Sequence, residues 1–339
     1  MIVGTKGKFA NRPVRVAVIG AGKMGKNHLR VYDMLKDVEL VGLYDPDPVA
    51  AATLSAQYDC RAFSSPDAVA GEIDAVSICS PSSTHGEVGL RFLNAGIHCL
   101  IEKPLATSER DCHALIGAAR ASGAKLLVGH IERFNPAVQQ VAVLLDGSQS
   151  IHAIETHRLS SVSKRITDVD VVADLMVHDL DIVNALMGQP VTSLDVAAVN
   201  TDDSPGSDHV TALLRFANHT VACVTASRIT QNTVRKLSVT TDAGMVEVDY
   251  MNQSIDIYRQ YAVSVDDNKT SKFGDYTLDT SVERVVVRRT EPLQVELSHF
   301  IDMIRTDAKP IVTGEQGLEA MRLVWSIQDA VRNSRGNRP

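Results

Sequence analysis

Nowhere in the chain do about 18 apolar residues follow one another, so no segment has the length and hydropathy of a bilayer-spanning helix. The opening residues, Met1 to Lys8, lack the apolar run of a secretory signal. Cysteine is sparse: five residues, Cys60, Cys79, Cys99, Cys112 and Cys223, are scattered with no C-x-x-C pair. That excludes a disulfide or zinc framework and suits small buried hydrophobes in a reducing compartment, so the expected location is the cytoplasm. There is no Pro/Gly-rich tract, no run of one charge sign and no internal repeat, which sets aside disordered and solenoid classes. Positive charge is in deficit. At a net charge of −7, nucleic acid and anionic membrane are not expected partners.

What remains is an ordinary globular composition, 44% hydrophobic and 22% charged over 339 residues, long enough for two domains. Up to about residue 130, short apolar runs alternate with helical segments. Val14–Ile19, Val38–Tyr44, Ala75–Cys79, His98–Ile101 and Lys125–Val128 read as strands buried on both faces, with Arg61–Phe63 as a short extra one. Between them lie helical stretches at Met24–Lys36, Pro48–Tyr58, Thr84–Asn94 and Ser108–Ser122, with Gly96 and Gly123 at C-cap positions. Such alternation predicts an α/β fold with a doubly wound parallel sheet.

The rhythm then changes. Runs at Ile151–Arg158, Thr192–Val199, His209–Phe216, Thr220–Ile229, Leu237–Thr241, Met245–Asp249, Ile255–Arg259 and Arg284–Arg289 follow one another. Turn residues at Asn218-His219 and Asp242-Ala243-Gly244 separate some of them, predicting a mostly antiparallel sheet. One helix, Ala173–Met187, interrupts the series, with Leu175, Ile182 and Leu186 as its buried stripe. The polar stretch Val263–Thr280 is expected to be a loop. Two helices close the chain, Leu293–Arg305 and Glu315–Arg332, the second behind a capping box at Thr313–Gln316. The expected domains are 13–130 and 131–312, with a helix at 313–334 packing back on the first.

Four segments carry chemistry. Gly20-Ala21-Gly22-Lys23-Met24-Gly25 follows a strand and opens a helix, the setting in which a glycine turn brings backbone and a helix N-terminus to a pyrophosphate. The N-terminal domain is therefore expected to be a Rossmann dinucleotide-binding domain. Asp45, at the end of the second strand, is placed to accept from ribose hydroxyls and would repel a 2′-phosphate, favouring NAD over NADP; Asp47 is a nearby competitor for that role. Cys79-Ser80-Pro81-Ser82-Ser83-Thr84-His85 ends another strand, where polar groups line a ligand cleft or simply cap the next helix. Glu102-Lys103-Pro104 ends the following strand, and its Lys is a candidate substrate ligand or acid–base group beside a bond open to the cis form. Asp174 and His178 stand at i and i+4, so the carboxylate can orient the imidazole as a general base. A surface ion pair is the plainer reading; a metal site is not expected, for want of a second cluster with ligand spacing.

Gly20–Gly25, Glu102-Lys103-Pro104 and Asp174-x-x-x-His178, in this order, resemble the Gfo/Idh/MocA oxidoreductases across nearly the whole chain. The resemblance implies a Rossmann domain followed by an α/β domain with an open, mostly antiparallel sheet, which often serves in a homodimer or homotetramer. It implies that Lys103, Asp174 and His178 are catalytic and that Lys103 or His178 is the base. Gly20, Gly22, Lys23, Met24, Gly25, Asp45, Ser80, Pro81, His85, Glu102 and Lys103 are the expected NAD-binding residues. Ser82 stands where the family has Asn, which leaves that contact open. Gly129–Pro136 and Asp174–Asp181 look like the UDP-N-acetylglucosamine 3-dehydrogenases within the family, whose ketone product goes to an aminotransferase on the way to lipid A or surface polysaccharide. A nucleotide-sugar substrate between the domains would meet Arg133, Arg158, Lys164, Arg165 and His178. An inositol or other sugar dehydrogenase, and a non-enzymatic NAD-sensing regulator, are the alternatives.

Overall fold

The computed structural model describes residues 12–145, 150–161, 170–201, 206–263 and 277–336. It has two compact units: the residues up to Phe134 with Thr290–Leu323, and Asn135–Arg289 with the residues from Val324 on.

In the first unit, β1 (Val14–Ile19), α1 (Lys23–Met34), β2 (Val38–Tyr44), α2 (Pro48–Gln57), β3 (Arg61–Ala62), α3 (Pro66–Ala70), β4 (Ala75–Ile78), α4 (His85–Asn94), β5 (His98–Glu102), α5 (Glu109–Ser122) and β6 (Leu126–Gly129) alternate along the chain. The strands form one parallel sheet in the order β3-β2-β1-β4-β5-β6. Every residue of β4 is buried, as is all of β1 except Arg15, which is why these runs read as continuously apolar. Local chemistry sets the helix ends: the side chains of Asp47, Ser65 and Ser108 accept N–H groups at the starts of α2, α3 and α5. Gly123, at φ +73°, ends α5. The chain winds outward from β1 to β3, then crosses to β4, so the carboxyl ends of β1 and β4 flank a topological switch point.

The second unit begins with α6 (Pro136–Leu144), whose Asn135 cap and Pro136 start were legible signals that the sequence reading passed over. Then come β7 (Ile151–Leu159), α7 (Val177–Met187), β8 (Val191–Val199), β9 (His209–Phe216), β10 (Val221–Ser227), β11 (Val234–Thr241), β12 (Gly244–Asp249), β13 (Ser254–Val263) and β14 (Thr277–Val285). They form a mixed sheet in the order β14-β13-β12-β11-β7-β10-β9-β8, in which only β7 and β10 pair in parallel. Side chains alternate across it: on β9, Val210, Ala212, Leu214 and Phe216 are buried and Leu213 is exposed. Helices α6 and α7 pack on this sheet. Two helices follow, α8 (Pro292–Thr306) in the first unit and α9 (Gly314–Gly336), which starts in the first unit and ends in the second. The predicted capping box opens α9: Thr313 Oγ1 accepts from the Gln316 N–H at 3.2 Å, and Gln316 Oε1 from the Thr313 N–H at 3.0 Å.

Besides α3 and α6, which were not expected, the structure differs from the sequence-based expectation in three places. The strand expected at Arg284–Arg289 is β14, ending at Val285 and extending back through Thr277–Thr280, part of the predicted loop. As the edge strand it pairs only with β13, so it tolerates a polar sequence that hides its period. The helix read as Ala173–Met187 opens with a π turn, Val172–Met176; of its expected stripe Ile182 is buried, while Leu175 and Leu186 are only half-buried and Val172, Met176, Val183 and Met187 are buried in their place. The expected 131–312 domain is also divided otherwise, with Thr290–Leu323 belonging to the first unit.

In the second unit, Arg158 and Asp179 form a buried two-pronged ion pair, Nε–Oδ2 at 2.8 Å and Nη2–Oδ1 at 3.0 Å. The guanidinium also lies 5.4 Å from the centre of the Tyr250 ring. Removing one partner strands a buried charge, so Asp179→Ala is expected to cost about 3–5 kcal/mol, and Arg158→Met with Asp179→Leu much less. Urea titration followed by the fluorescence of Trp325, the single tryptophan and part of this unit, measures both. Equal losses in the single and double variants would contradict the pairing energetics.

Candidate active site

In the first unit, the expected cofactor residues gather at the carboxyl ends of β1, β2, β4 and β5. Gly20 adopts φ +105°, and a β-carbon there would lie 2.7 Å from the Cys79 carbonyl oxygen. At Gly25 it would lie 1.8 Å from the Gly20 carbonyl oxygen, so α1 can start against the turn only with glycine at that position. Gly22 differs: it is the N-cap of α1, without a side-chain cap, and an added β-carbon would meet nothing within 4 Å. The turn is thus closed on its inner side and open on its outer side, where helix N–H groups need acceptors. That arrangement fits a dinucleotide diphosphate. Lys23 is exposed and Met24 half-buried beside it.

Asp45 follows β2 and turns toward this loop. Its Oδ2 accepts from the Ala21 N–H at 2.6 Å and its Oδ1 from the Asp47 N–H at 2.8 Å. Asp47 instead caps α2, which separates the two candidates. After β4, Ser80 Oγ and Thr84 Oγ1 are hydrogen-bonded at 2.7 Å, Pro81 is exposed, and neither Ser82 nor Ser83 caps α4.

Two expected cofactor residues turn inward. His85 is buried, with Nδ1 2.7 Å from the Pro104 carbonyl oxygen and Nε2 2.9 Å from that of Ser80. Both ring nitrogens are engaged by backbone, so the side chain ties the segment after β4 to the Lys103-Pro104 turn. Glu102 is buried too, its Oε1 2.9 Å from His28 Nε2. Lys103 is half-buried beyond the end of β5, and the Lys103–Pro104 bond is cis. His28, Cys79 and Glu102 offer possible metal-ligand atoms within 4.8 Å of one another, the one such group among the described residues. His28 Nε2 is paired with Glu102 Oε1, and burial pushes the Cys79 thiol well up.

In the second unit, Asp174 lies within the π turn and His178 in the first turn of α7; both are half-buried. A π turn interrupts the α spacing from which their adjacency was argued, and such turns recur at functional sites. Asp170 anchors the segment: its Oδ1 accepts from the Ala173 N–H at 3.0 Å, and both its oxygens lie 3.1 Å from Gln328 Nε2. Arg158 gives Nε and Nη2 to Asp179. It braces α7 against β7. Arg133, in the first unit, is half-buried and donates from Nη2 to the Ile311 carbonyl at 3.3 Å. Lys164 and Arg165 lie outside the described residues.

His28 and Glu296, which no motif singled out, and Asp179, which was given no role of its own, are buried ionisable residues. A signal existed for each: an ionisable residue on the apolar face of an amphipathic helix, as with Glu296 in the stripe Leu293, Leu297, Phe300.

Comparison with known proteins gives two family matches. Residues 14–130 match the oxidoreductase family with an NAD-binding Rossmann fold, and residues 163–337 match the C-terminal alpha/beta domain of the same oxidoreductase family. A UDP-N-acetylglucosamine 3-dehydrogenase from Acidithiobacillus ferrooxidans is 33% identical over 321 residues, 94% of this chain and 97% of the relative. Its solved structure superposes with a TM-score of 0.85 at 31% identity, covering 94% of this chain and 97% of that one. An inositol 2-dehydrogenase from Rhizobium meliloti is 29% identical over 338 residues, 95% and 98% of the two chains. The WlbA dehydrogenase from Bordetella pertussis, solved with NADH and UDP-GlcNAcA, shares the fold at TM-score 0.81 and 22% identity, over 96% and 97% of the chains.

Gly22→Ala is expected to leave thermal stability unchanged yet weaken NAD binding by on the order of tenfold or more, as its methyl group occupies the diphosphate side of the turn. Gly25→Ala should instead lower stability as well. Calorimetric titration with NAD and a melting curve separate the two; NAD affinity unchanged in Gly22→Ala would place the diphosphate elsewhere.

Proposed function

The chain belongs to the Gfo/Idh/MocA family of NAD-binding oxidoreductases, and from that premise we propose that it oxidises the C3 hydroxyl of UDP-N-acetylglucosamine, or a closely related UDP-N-acetyl sugar, to the 3-keto sugar. One observation carries the reading: the resemblance to a 3-dehydrogenase for this substrate extends over 94% of the chain and is matched in three dimensions. The inositol 2-dehydrogenase relative supports the second reading, in which the same machinery takes a cyclitol.

In this proposal the Gly20–Gly25 turn, with Lys23 and Met24, would hold the NAD diphosphate, Asp45 would serve the adenosine ribose, and Ser80 and Pro81 would serve the nicotinamide. Bound NAD supplies the hydride acceptor. His178, oriented by Asp174, takes the C3 hydroxyl proton. Lys103 holds that oxygen and stabilises the negative charge that develops as the C3 hydrogen leaves with its electron pair. The products are a ketone, reduced cofactor and one proton. Lys103 as the base is the rival assignment within the same chemistry. Arg133, Lys164 and Arg165 are the proposed diphosphate ligands. The 3-keto product suits an aminotransferase, which would convert it to a 3-amino sugar for lipid A or a surface polysaccharide. A homodimer or homotetramer would cover the sheet face on which Val199, Leu213 and Val282 are exposed.

The test is NADH formation from NAD with UDP-N-acetylglucosamine, inositol and glucose in parallel, with an aminotransferase present to draw off the ketone. Turnover with the nucleotide sugar alone is expected; turnover with inositol alone would replace the substrate and keep the family chemistry. Lys103→Met and His178→Asn should each lower kcat by on the order of 10²-fold or more, with the pH–rate profile losing the limb that belongs to the base in one of them. Near-normal rates in both variants would overturn the assignment. Asp45→Ser should raise the use of NADP relative to NAD, and an unchanged preference would remove Asp45 from the ribose.

A further inference from the structure

Glu296 projects from the apolar stripe of α8 into the interior of the first unit, and its side chain is wholly buried. Neither of its carboxyl oxygens has a hydrogen-bond partner among the described residues. Its ionisable neighbours come from three other elements: Glu102 at the end of β5, Cys79 after β4 and Tyr32 on α1. His28, also on α1, completes the group through its 2.9 Å bond to Glu102, while its Nδ1 is buried without a partner among the described residues. Tyr32 is itself satisfied by Ser77, at 2.7 Å.

Two carboxyl groups therefore share one dry interior, and their situations differ. Glu102 has an imidazole against it and retains slight exposure. Glu296 has neither, and an unpaired buried carboxylate beside a second one is the costliest state open to it. Burial and the nearby Glu102 both push its carboxyl well above the usual range. The surroundings of Glu102 are equally specific. A β-carbon at Gly129 would lie 2.9 Å from Glu102 Cα and 3.1 Å from its carboxylate, so this side chain runs inward over a residue that has none. Glu102 is the last residue of β5, and Lys103 leaves the strand directly from it.

We propose that Glu296 is a positioning residue that carries a proton at neutral pH, a neutral carboxyl that seats the Glu102–His28 pair and through it the backbone from which Lys103 projects. The part concerning Lys103 rests on the proposed function; the proton on Glu296 does not. The helix α8, otherwise a packing element on α1 and on residues 131–134, then becomes part of the support for the reactive end of β5.

The experiment uses the full chain with no sugar substrate. Infrared difference spectra of wild type minus Glu296→Gln at neutral pH should show the loss of a protonated carboxyl C=O band. Loss of carboxylate bands instead would overturn the proposal, and so would a divalent metal that copurifies with wild type and is absent from Glu296→Gln, since the group would then be a ligand. The positioning role is read from Lys103 itself, by NMR of ¹³C-dimethylated lysines with Lys103→Met for assignment. The Lys103 resonance and its titration should be retained in Glu296→Gln, a neutral group of the same shape, and displaced in Glu296→Leu. An unmoved Lys103 signal in a folded Leu variant would sink the positioning role. Should the Leu variant fail to fold, a Lys103 titration displaced in Glu296→Gln does so in its place. With a turned-over sugar in hand, Glu296→Leu should lose kcat by on the order of tenfold or more with NAD affinity little changed, as displaced reacting groups do. Wild type inactive on every sugar would discard the substrate reading and leave the infrared and NMR outcomes standing.

Discussion

The carbonyl oxygen of Gly20 and the α-carbon of Gly25 approach so closely that no side chain fits between them. This approach sets α1 against the end of β1, and much of the first unit's chemistry follows from it. With α1 so placed, its N-terminus and the open side of Gly22 face the region where a diphosphate binds in such folds. One turn further on, His28 reaches Glu102 at the end of β5, while Ala21 offers its N–H to Asp45 at the end of β2. A single steric constraint thereby ties three strand ends together. His85 adds a fourth tie, between the segment after β4 and the Lys103-Pro104 turn.

The second unit solves a similar problem with charge. Its helix α7 must hold a half-buried imidazole steady on a sheet, and it does so through Asp179, on the residue next to His178, locked to Arg158 of β7. In both units the polar residues nearest the proposed chemistry divide into a half-buried set, Lys103, Asp174 and His178, and a buried set that steadies them. An unpaired buried charge is expensive, so the buried set is internally paired or neutral.

The parallel sheet was legible in the sequence because β1, β4, β5 and β6 are buried on both faces and several of its helices carry ordinary caps. The glycine turn, Asp45 and Lys103 were legible because such turns and strand ends use few residue types. The edge strand β14 was not, since pairing on one side only permits polar residues without an apolar period. The π turn before α7 was hidden for a different reason: it changes the hydrogen-bond step without changing the composition. The inward direction of Arg158, His85 and Glu102 was hidden for one reason. Residue type and position along a strand or helix do not say whether a polar side chain points to a cleft or into the core, and here all three point inward.

In the proposed reaction the hydrogen on the sugar C3 leaves with its electrons for the nicotinamide. The test is UDP-N-acetylglucosamine carrying deuterium only at C3, incubated with the protein and NAD. Deuterium in the reduced nicotinamide and a slowed hydride step are expected. NADH formed without deuterium, with the label still on the sugar, would contradict this and move the oxidation to another carbon.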